Sequence, residues 1–132
     1  KEYNDLYGHL SGDDVINQIA RALEQSLKRS TDLVARYGGD EFAVLLTYTD
    51  SAGALHVAQA IQTNVAACNK LLREVSPGRR ITVSIGIATM VPSIDTRVSD
   101  LIAHSDMALY QAKRAGRDCI RIFGMANTGD VS

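Results

Sequence analysis

A glycine turn followed by two carboxylates is the first feature of this sequence that could carry chemistry. It reads Tyr-Gly-Gly-Asp-Glu-Phe at 37–42 and joins two β-rich runs. Gly38 and Gly39 supply the positive φ that a tight hairpin turn needs, and their missing Cβ atoms let the backbone approach a phosphate closely. Mg²⁺ binds one or two carboxylates together with phosphate oxygens, so Asp40 or Glu41 suits a metal–phosphate site.

The alternative is a charged surface hairpin without chemistry, and these six residues alone favour neither interpretation. Successive side chains of a strand point to opposite faces, so Asp40 and Glu41, at the entry to the second strand, are predicted to diverge. That arrangement excludes a carboxylate dyad aimed at a single glycosidic bond.

The elements that must position this turn are predicted from hydrophobic periodicity. Residues 1–12 carry loop chemistry with at most one helical turn, and Ser11 or Asp13 caps a helix that runs to about Lys28. The remaining elements are, in order, strands at 33–37 and 41–49, a helix at 52–72, a strand at 81–88, a helix at 98–114 ended by Gly116 and a strand at 118–123. This order predicts an α/β (α+β) fold with helices on a central, mostly antiparallel sheet.

The strand predicted at 81–88 alternates between two kinds of side chain. Ile and Val line one face, whereas the other face carries only small residues, among them Gly86. We therefore expect an interior strand with a helix packed closely on its small face.

The composition excludes several classes of function. The chain has 132 residues, of which 45% are hydrophobic and 22% charged, as expected of one globular domain. Its 14 Lys and Arg balance 15 Asp and Glu, so we expect no contact with nucleic acid or with a membrane through a basic surface. No apolar run approaches the roughly 20 residues of a membrane span, and two cysteines, at 68 and 119, suit the cytoplasm. These observations do not exclude a membrane anchor elsewhere in the full-length protein.

Four separate motifs follow one another along the chain. They are Asn-Asp-x-x-Gly-His-x-x-Gly-Asp at 4–13, Arg-Tyr-Gly-Gly-Asp-Glu-Phe at 36–42, Ser-Ile-Gly at 84–86 and Ala-Lys-x-x-Gly-Arg at 112–117. In this order and spacing they resemble the GGDEF domain family, the diguanylate cyclases. The resemblance runs from Lys1 to about Phe123, and we expect a GGDEF domain at 1–124 with a tail at 125–132.

The resemblance implies a ferredoxin-like fold, similar to the catalytic core of adenylyl cyclases, and a specific reaction. Family members condense two GTP molecules into cyclic di-GMP, with Mg²⁺ or Mn²⁺, and release two pyrophosphates. Each of two facing domains holds one GTP, so the implied partner is a second GGDEF domain in a homodimer. Asp40 matches the metal-ligand position. Glu41 matches the position beside the attacking 3′-hydroxyl, as base or as ligand to a second ion, and which carboxylate is the base stays open.

Seven residues match positions that contact the substrate in the family. They are Asn4 and Asp13 for guanine, Gly38 and Gly39 for the α- and β-phosphates, and Lys1, Lys113 and Arg117 for the triphosphate. Guanine offers N1–H and N2–H₂ donors to a carboxylate, whereas adenine would present an acceptor there, so GTP is the expected substrate. Each residue alone also has an ordinary interpretation as a turn residue, a helix cap or a helix-end cation.

The tetrad Arg29-Ser30-Thr31-Asp32 matches the family's inhibitory site, where the product cyclic di-GMP binds. Arg can pair bidentately with guanine O6 and N7, while Asp accepts hydrogen bonds from the Watson–Crick edge. The alternative is a solvated connection between a helix and a strand.

The sequence departs from the family at its start. The family carries a strand with Asp-x-Asp-x-Phe just before the residue that matches Lys1, and its first Asp is a second metal ligand. No residues of this sequence match that strand, so we expect the protein to extend upstream. The leading hypothesis is an active, product-inhibited diguanylate cyclase, and the alternative is an inactive GGDEF domain that senses GTP or cyclic di-GMP. A purely structural interaction domain would not explain the joint match of the motifs.

Overall fold

A computed structural model describes residues 2–75, 78 and 80–125, and for residues 2–13, 71 and 75 it describes the backbone alone. Within these ranges the elements are α1 (Glu2–Ser26), β1 (Leu33–Gly38), β2 (Glu41–Leu45), α2 (Ser51–Val75), β3 (Ile85–Ile87), α3 (Val98–Arg114) and β4 (Ile120–Ile122). Small sheets flanked by helices make an α+β fold, so the predicted class is confirmed.

The strands pair in two different ways. β1 and β2 form the predicted antiparallel hairpin, with Leu33 opposite Leu45 and Val34 opposite Val44. β3 and β4 pair in parallel, since α3 connects them as a crossover. The described strands thus form two two-stranded sheets, one of each kind, where the sequence predicted one mostly antiparallel sheet. Alternation of side chains identifies a strand and its buried face, but not its neighbour or the neighbour's direction.

The first helix is longer than the sequence predicts. α1 is continuous, so the loop predicted at 1–12 is helical from residue 2 onward, and Ser11 and Asp13 lie inside the helix instead of capping it. Gly8 and Gly12 each cost about 1 kcal/mol in a helix interior, which is not enough to end a helix. Because proline is absent from this stretch, no residue in it forbids the helical conformation.

The later helices agree more closely with their predicted bounds. α3 has the predicted limits, and α2 extends a little beyond the predicted 52–72 at both ends. The start of α2 is explained by Asp50, whose Oδ1 accepts a hydrogen bond of 2.8 Å from the backbone N–H of Gly53. This is the contact that an N-cap residue makes with the first turn.

The described residues divide into two compact units, the first within the ranges 1–47 and 63–81 and the second within 48–62 and 82–132. α2 contributes its C-terminal part to the first unit and its N-terminal part to the second. In the first unit the buried apolar side chains are Ile19, Ala22, Leu23, Val65 and Leu72. Most of these positions recur at steps of three or four residues, so one face of α1 and one face of α2 form this core.

A buried amide holds the segment after α2 in the first unit. Asn69 is 5% exposed, and its Nδ2 donates a hydrogen bond of 2.8 Å to the carbonyl oxygen of Ile81. The backbone N–H of Ile81 donates in return to Asn69 Oδ1, at 2.7 Å. One side chain thus satisfies both backbone groups of Ile81, as a neighbouring strand would.

Replacing Asn69 with Ala should therefore lower the free energy of unfolding by about 2 kcal/mol, because both backbone groups of Ile81 lose their partner. Thermal or denaturant unfolding measures the change. Asn17→Ala is the matched control, since Asn17 is an exposed residue of α1 and carries the same change in helix propensity. Equal stability of the two variants would contradict the role assigned to Asn69.

The second unit is organised around β3, α3 and β4. Its buried apolar side chains are Ala54, Ala58, Ile61, Ile87, Ala108, Ala112, Cys119, Ile120 and Ile122. Gly86 of β3 lies directly against α3, since a Cβ built there would be 2.2 Å from the backbone nitrogen of Leu109 and 2.4 Å from the carbonyl oxygen of Ser105. The expectation of a helix packed closely on the small face of this strand is confirmed.

Two further expectations concern the environment of the chain. Among the described helices, none combines the length and the apolar character that crossing a bilayer requires. Cys68 and Cys119 are both free thiols, and Cys119 is buried. The predicted tail at 125–132 lies, apart from Met125, outside the described residues.

Candidate functional site

The predicted glycine turn closes the β1–β2 hairpin. Gly38 is the last residue of β1 and pairs with Glu41, so Gly39 and Asp40 form a two-residue loop. Gly39 has a φ of +51°, the left-handed conformation that favours glycine, whereas Gly38 does not have a positive φ. Only Gly39 therefore supplies a positive φ, which was predicted for both glycines.

The two carboxylates of the motif are exposed at this turn. Asp40 lies in the loop and Glu41 is the first residue of β2, so the alternation of strand side chains does not apply to Asp40. A Cβ at Gly38 or Gly39 would have no heavy atom within 4 Å, which leaves open space beside the backbone of the turn. A phosphate could approach the turn through this space.

Asp40 and Glu41 are the two carboxylates that the turn offers to a metal ion. Among the side chains that the structure describes, no three or more His, Cys, Asp or Glu are grouped to hold a metal ion. A Mg²⁺ ion at a carboxylate of the turn would accept phosphate oxygens and water as further ligands. Carboxylate oxygens of this kind fit a hard divalent ion.

An arginine of β1 holds the turn from one side. The guanidinium of Arg36 donates two hydrogen bonds to the carbonyl oxygen of Gly39, from Nε at 2.8 Å and from Nη2 at 2.6 Å. Between Arg36 and Gly38 the register of the hairpin shifts by one residue, so Tyr37 is an extra residue in β1. Arg36 belongs to the Arg-Tyr-Gly-Gly-Asp-Glu-Phe motif, but this contact was not predicted from the sequence.

The Arg-x-x-Asp tetrad lies at the open end of the same hairpin. Arg29 Nη1 donates to the carbonyl oxygen of Thr47 at 2.5 Å, and Asp32 Oδ1 accepts from the N–H of Thr47 at 3.1 Å. The hydroxyl groups of Thr31 and Thr47 are 2.7 Å apart. Arg29 and Asp32 thus both bind the backbone of Thr47, just beyond β2. No sequence pattern predicted this role for Thr47.

Lys113 and Arg117 belong to the second unit, at the C-terminal end of α3. Gly116 has a φ of +111°, and its N–H donates to the carbonyl of Lys113, while the N–H of Arg117 donates to that of Ala112. These two hydrogen bonds are a Schellman motif, so Gly116 ends the helix as predicted. Arg117 is exposed and also has a positive φ, of 64°.

Three predicted substrate contacts fall where side chains are not described. Lys1 lies outside the described residues, and Asn4 and Asp13 belong to the part of α1 for which only the backbone is described. Their roles at guanine and at the triphosphate stay predictions. The roles of the other motif residues are likewise assigned by resemblance alone.

Comparison with known proteins assigns this chain to a family. The chain matches the family model "Diguanylate cyclase, GGDEF domain" over residues 1–119. It is 42% identical to diguanylate cyclase DgcM of Escherichia coli K12 over 118 residues, which is 89% of this chain and 27% of that protein. This chain belongs to the GGDEF domain family of diguanylate cyclases, as its four motifs predicted. It spans less than a third of the length of DgcM and so corresponds to one part of that protein.

Solved structures agree with this assignment. The active GGEEF domain of a diguanylate cyclase from Vibrio cholerae matches with a TM-score of 0.79 and 28% identity, over 94% of this chain and 76% of that one. The GGDEF domain of YfiN, also called TpbB, from Pseudomonas aeruginosa matches with a TM-score of 0.75 and 38% identity, over 95% and 76%. The fold is therefore that of a GGDEF domain.

Proposed function

We propose that this chain is the part of a diguanylate cyclase that condenses GTP. Two GTP molecules are joined into cyclic di-GMP, and two pyrophosphates leave. The observation that carries the proposal is the open turn, where two exposed carboxylates, Asp40 and Glu41, adjoin a backbone without Cβ atoms at Gly38 and Gly39. Membership of the GGDEF family supports the same reaction.

Asp40 would hold the divalent ion that this reaction needs. Carboxylate oxygens are hard ligands, and both groups are exposed beside a turn that a phosphate can approach, which suits Mg²⁺ or Mn²⁺. When bound, the ion offsets negative charge on the triphosphate. Asp40 is the proposed ligand, and Glu41 is either the base for the 3′-hydroxyl or a ligand to a second ion.

The bond changes set what the protein must supply. The 3′-oxygen of one GTP bonds to the α-phosphorus of the other, while the bond from that phosphorus to the departing pyrophosphate breaks. The hydroxyl proton passes to a base, for which Asp40 and Glu41 are the two candidates. A second such step closes the ring. Because each GTP needs its own domain, the proposed partner is a second GGDEF domain in a homodimer.

The rest of the proposed GTP site is assigned from the family motifs. Asn4 and Asp13 are the proposed guanine contacts, since a carboxylate and an amide complement the donors and acceptors of guanine. Lys113, Arg117 and Lys1 are the proposed triphosphate contacts, because cations offset its charge. Because GTP is the proposed substrate, the cytoplasm is the proposed location of this chain.

Incubation of the full-length protein with GTP and Mg²⁺ tests the proposal. We expect one cyclic di-GMP for every two pyrophosphates, measured by chromatography and a pyrophosphate assay, and loss of the reaction when EDTA removes the ion. A protein that makes no product yet binds cyclic di-GMP tightly would be a sensor, which is the alternative function. The tetrad is the feature that favours this alternative, since it is separate from the turn.

The tetrad is the proposed site of product inhibition. Arg29 is exposed, and its guanidinium and the Asp32 carboxylate meet on the same residue, Thr47. A guanine base could pair with these two groups in the manner of other Arg and Asp contacts to its edges. Binding there would act on the end of β2, whose other end carries Glu41.

Arg29→Ala should raise the concentration of added cyclic di-GMP that halves the rate by about 10- to 100-fold, since a bidentate contact to guanine contributes about 1–3 kcal/mol. Initial rates over a series of product concentrations measure this effect. Lys28→Ala removes a neighbouring exposed cation and serves as the control. Identical inhibition curves for the two variants would remove the basis for the assignment.

A further inference from the structure

The side chain of Arg36, in the Arg-Tyr-Gly-Gly-Asp-Glu-Phe motif, contacts the turn. The proposed reaction assigns it no role. Its guanidinium lies along the edge of the loop, with both Nε and Nη2 on the carbonyl oxygen of Gly39. The two donors belong to one rigid planar group, so together they fix the direction of that carbonyl.

The carbonyl of Gly39 and the N–H of Asp40 belong to the same peptide group. In a planar trans peptide these two bonds point in opposite directions, so a fixed carbonyl also fixes the N–H of Asp40 and the position of its Cα. The loop needs such a restraint, because Gly39, at φ +51°, and Gly38 lack the Cβ atoms that limit backbone rotation elsewhere.

We propose that Arg36 is a positioning residue that holds the Gly39–Asp40 peptide in the orientation that the reaction uses. The guanidinium is hydrogen-bonded to the carbonyl oxygen of Gly39, which would otherwise repel a triphosphate. The N–H of Asp40 then points to the opposite side of the peptide. The backbone of Asp40 is then fixed, which positions its carboxylate for contact with an ion and a phosphate. This inference rests on the proposed function.

The other role open to an exposed arginine is a direct charge contact with a phosphate. The two roles make opposite predictions for lysine, which keeps the charge but has a single nitrogen and cannot reproduce the two-donor contact. Arg36→Lys is therefore the deciding variant, and Arg36→Ala removes both the charge and the contact. Arg21→Ala, on the exposed face of α1, is the matched control for loss of one positive charge.

Steady-state kinetics of the full-length protein with GTP and Mg²⁺ test the proposal. We expect both Arg36→Lys and Arg36→Ala to lower kcat by about 10- to 100-fold with a smaller change in KM, since misplaced reacting groups slow the chemical step. Millimolar guanidinium should restore part of the rate of Arg36→Ala and none of the rate of Arg36→Lys. Full activity of Arg36→Lys, or no loss in either variant, would overturn the proposal.

Hydrogen–deuterium exchange supplies a measurement that does not depend on turnover. At short labelling times, the peptide that covers residues 37–42 should exchange at least about threefold faster in both Arg36 variants and be unchanged in Arg21→Ala. Unchanged exchange in the Arg36 variants would overturn the proposal. If the unmodified protein makes no product, the proposed function fails, and the contact is then judged by exchange alone.

Discussion

Replacing Asp40 with Asn should lower the rate of cyclic di-GMP formation by on the order of a thousandfold. The amide has nearly the size of the carboxylate but no charge, so it is a much poorer ligand for a divalent ion that also binds a triphosphate. Asp40 is exposed in a two-residue loop, so the melting temperature should change little. Initial rates with saturating GTP and Mg²⁺, together with thermal unfolding, separate the two effects.

Asp40→Glu is the matched control, because it keeps a carboxylate at the same place. It also gives the turn the sequence of the active GGEEF domain from Vibrio cholerae. We expect this variant to retain activity within about tenfold of the unmodified protein. Asn at this position with a near-normal rate would show that the carboxylate is not needed, and the proposed metal ligand would then be wrong.

Much of the fold follows from patterns that the sequence displays directly. The bounds of α3 coincide with the prediction because apolar spacing, a terminal glycine and two cations in the last turn all agree. The hairpin follows from two β-rich runs around a glycine pair. The start of α1 does not follow, because the glycines and polar residues before Asp13 are typical of a loop yet do not prevent a helix.

The candidate site divides in a similar way. The glycine turn and its carboxylates are visible in the sequence, since their chemistry depends on residue type and on position in the chain. The contacts that hold the hairpin are not, because Arg36 binds the carbonyl of Gly39, and Arg29 and Asp32 bind the backbone of Thr47. Every residue type offers the same backbone carbonyl and, apart from proline, the same N–H, so no sequence pattern can identify such a partner.

Replacing Gly86 with Ala should lower the free energy of unfolding by about 3 kcal/mol and the melting temperature by about 10 °C. The added methyl group would lie 2.2 Å from the nitrogen of Leu109 and 2.4 Å from the oxygen of Ser105. These atoms are four residues apart in α3 and so are the two partners of one helical hydrogen bond. Either α3 moves away from β3, which loosens the packing of the second unit, or this hydrogen bond is disrupted.

Two control variants distinguish this backbone contact from other effects of the substitution. Gly38→Ala introduces the same methyl group in open space at a φ that is not positive, so its stability should stay within about 0.5 kcal/mol of the unmodified protein. Adding Leu109→Ala to the Gly86 variant should not restore stability, because the atoms in conflict are backbone atoms that a shorter side chain leaves in place. Recovery in that double variant would mean that side-chain crowding, and not the close approach of α3, requires glycine at position 86.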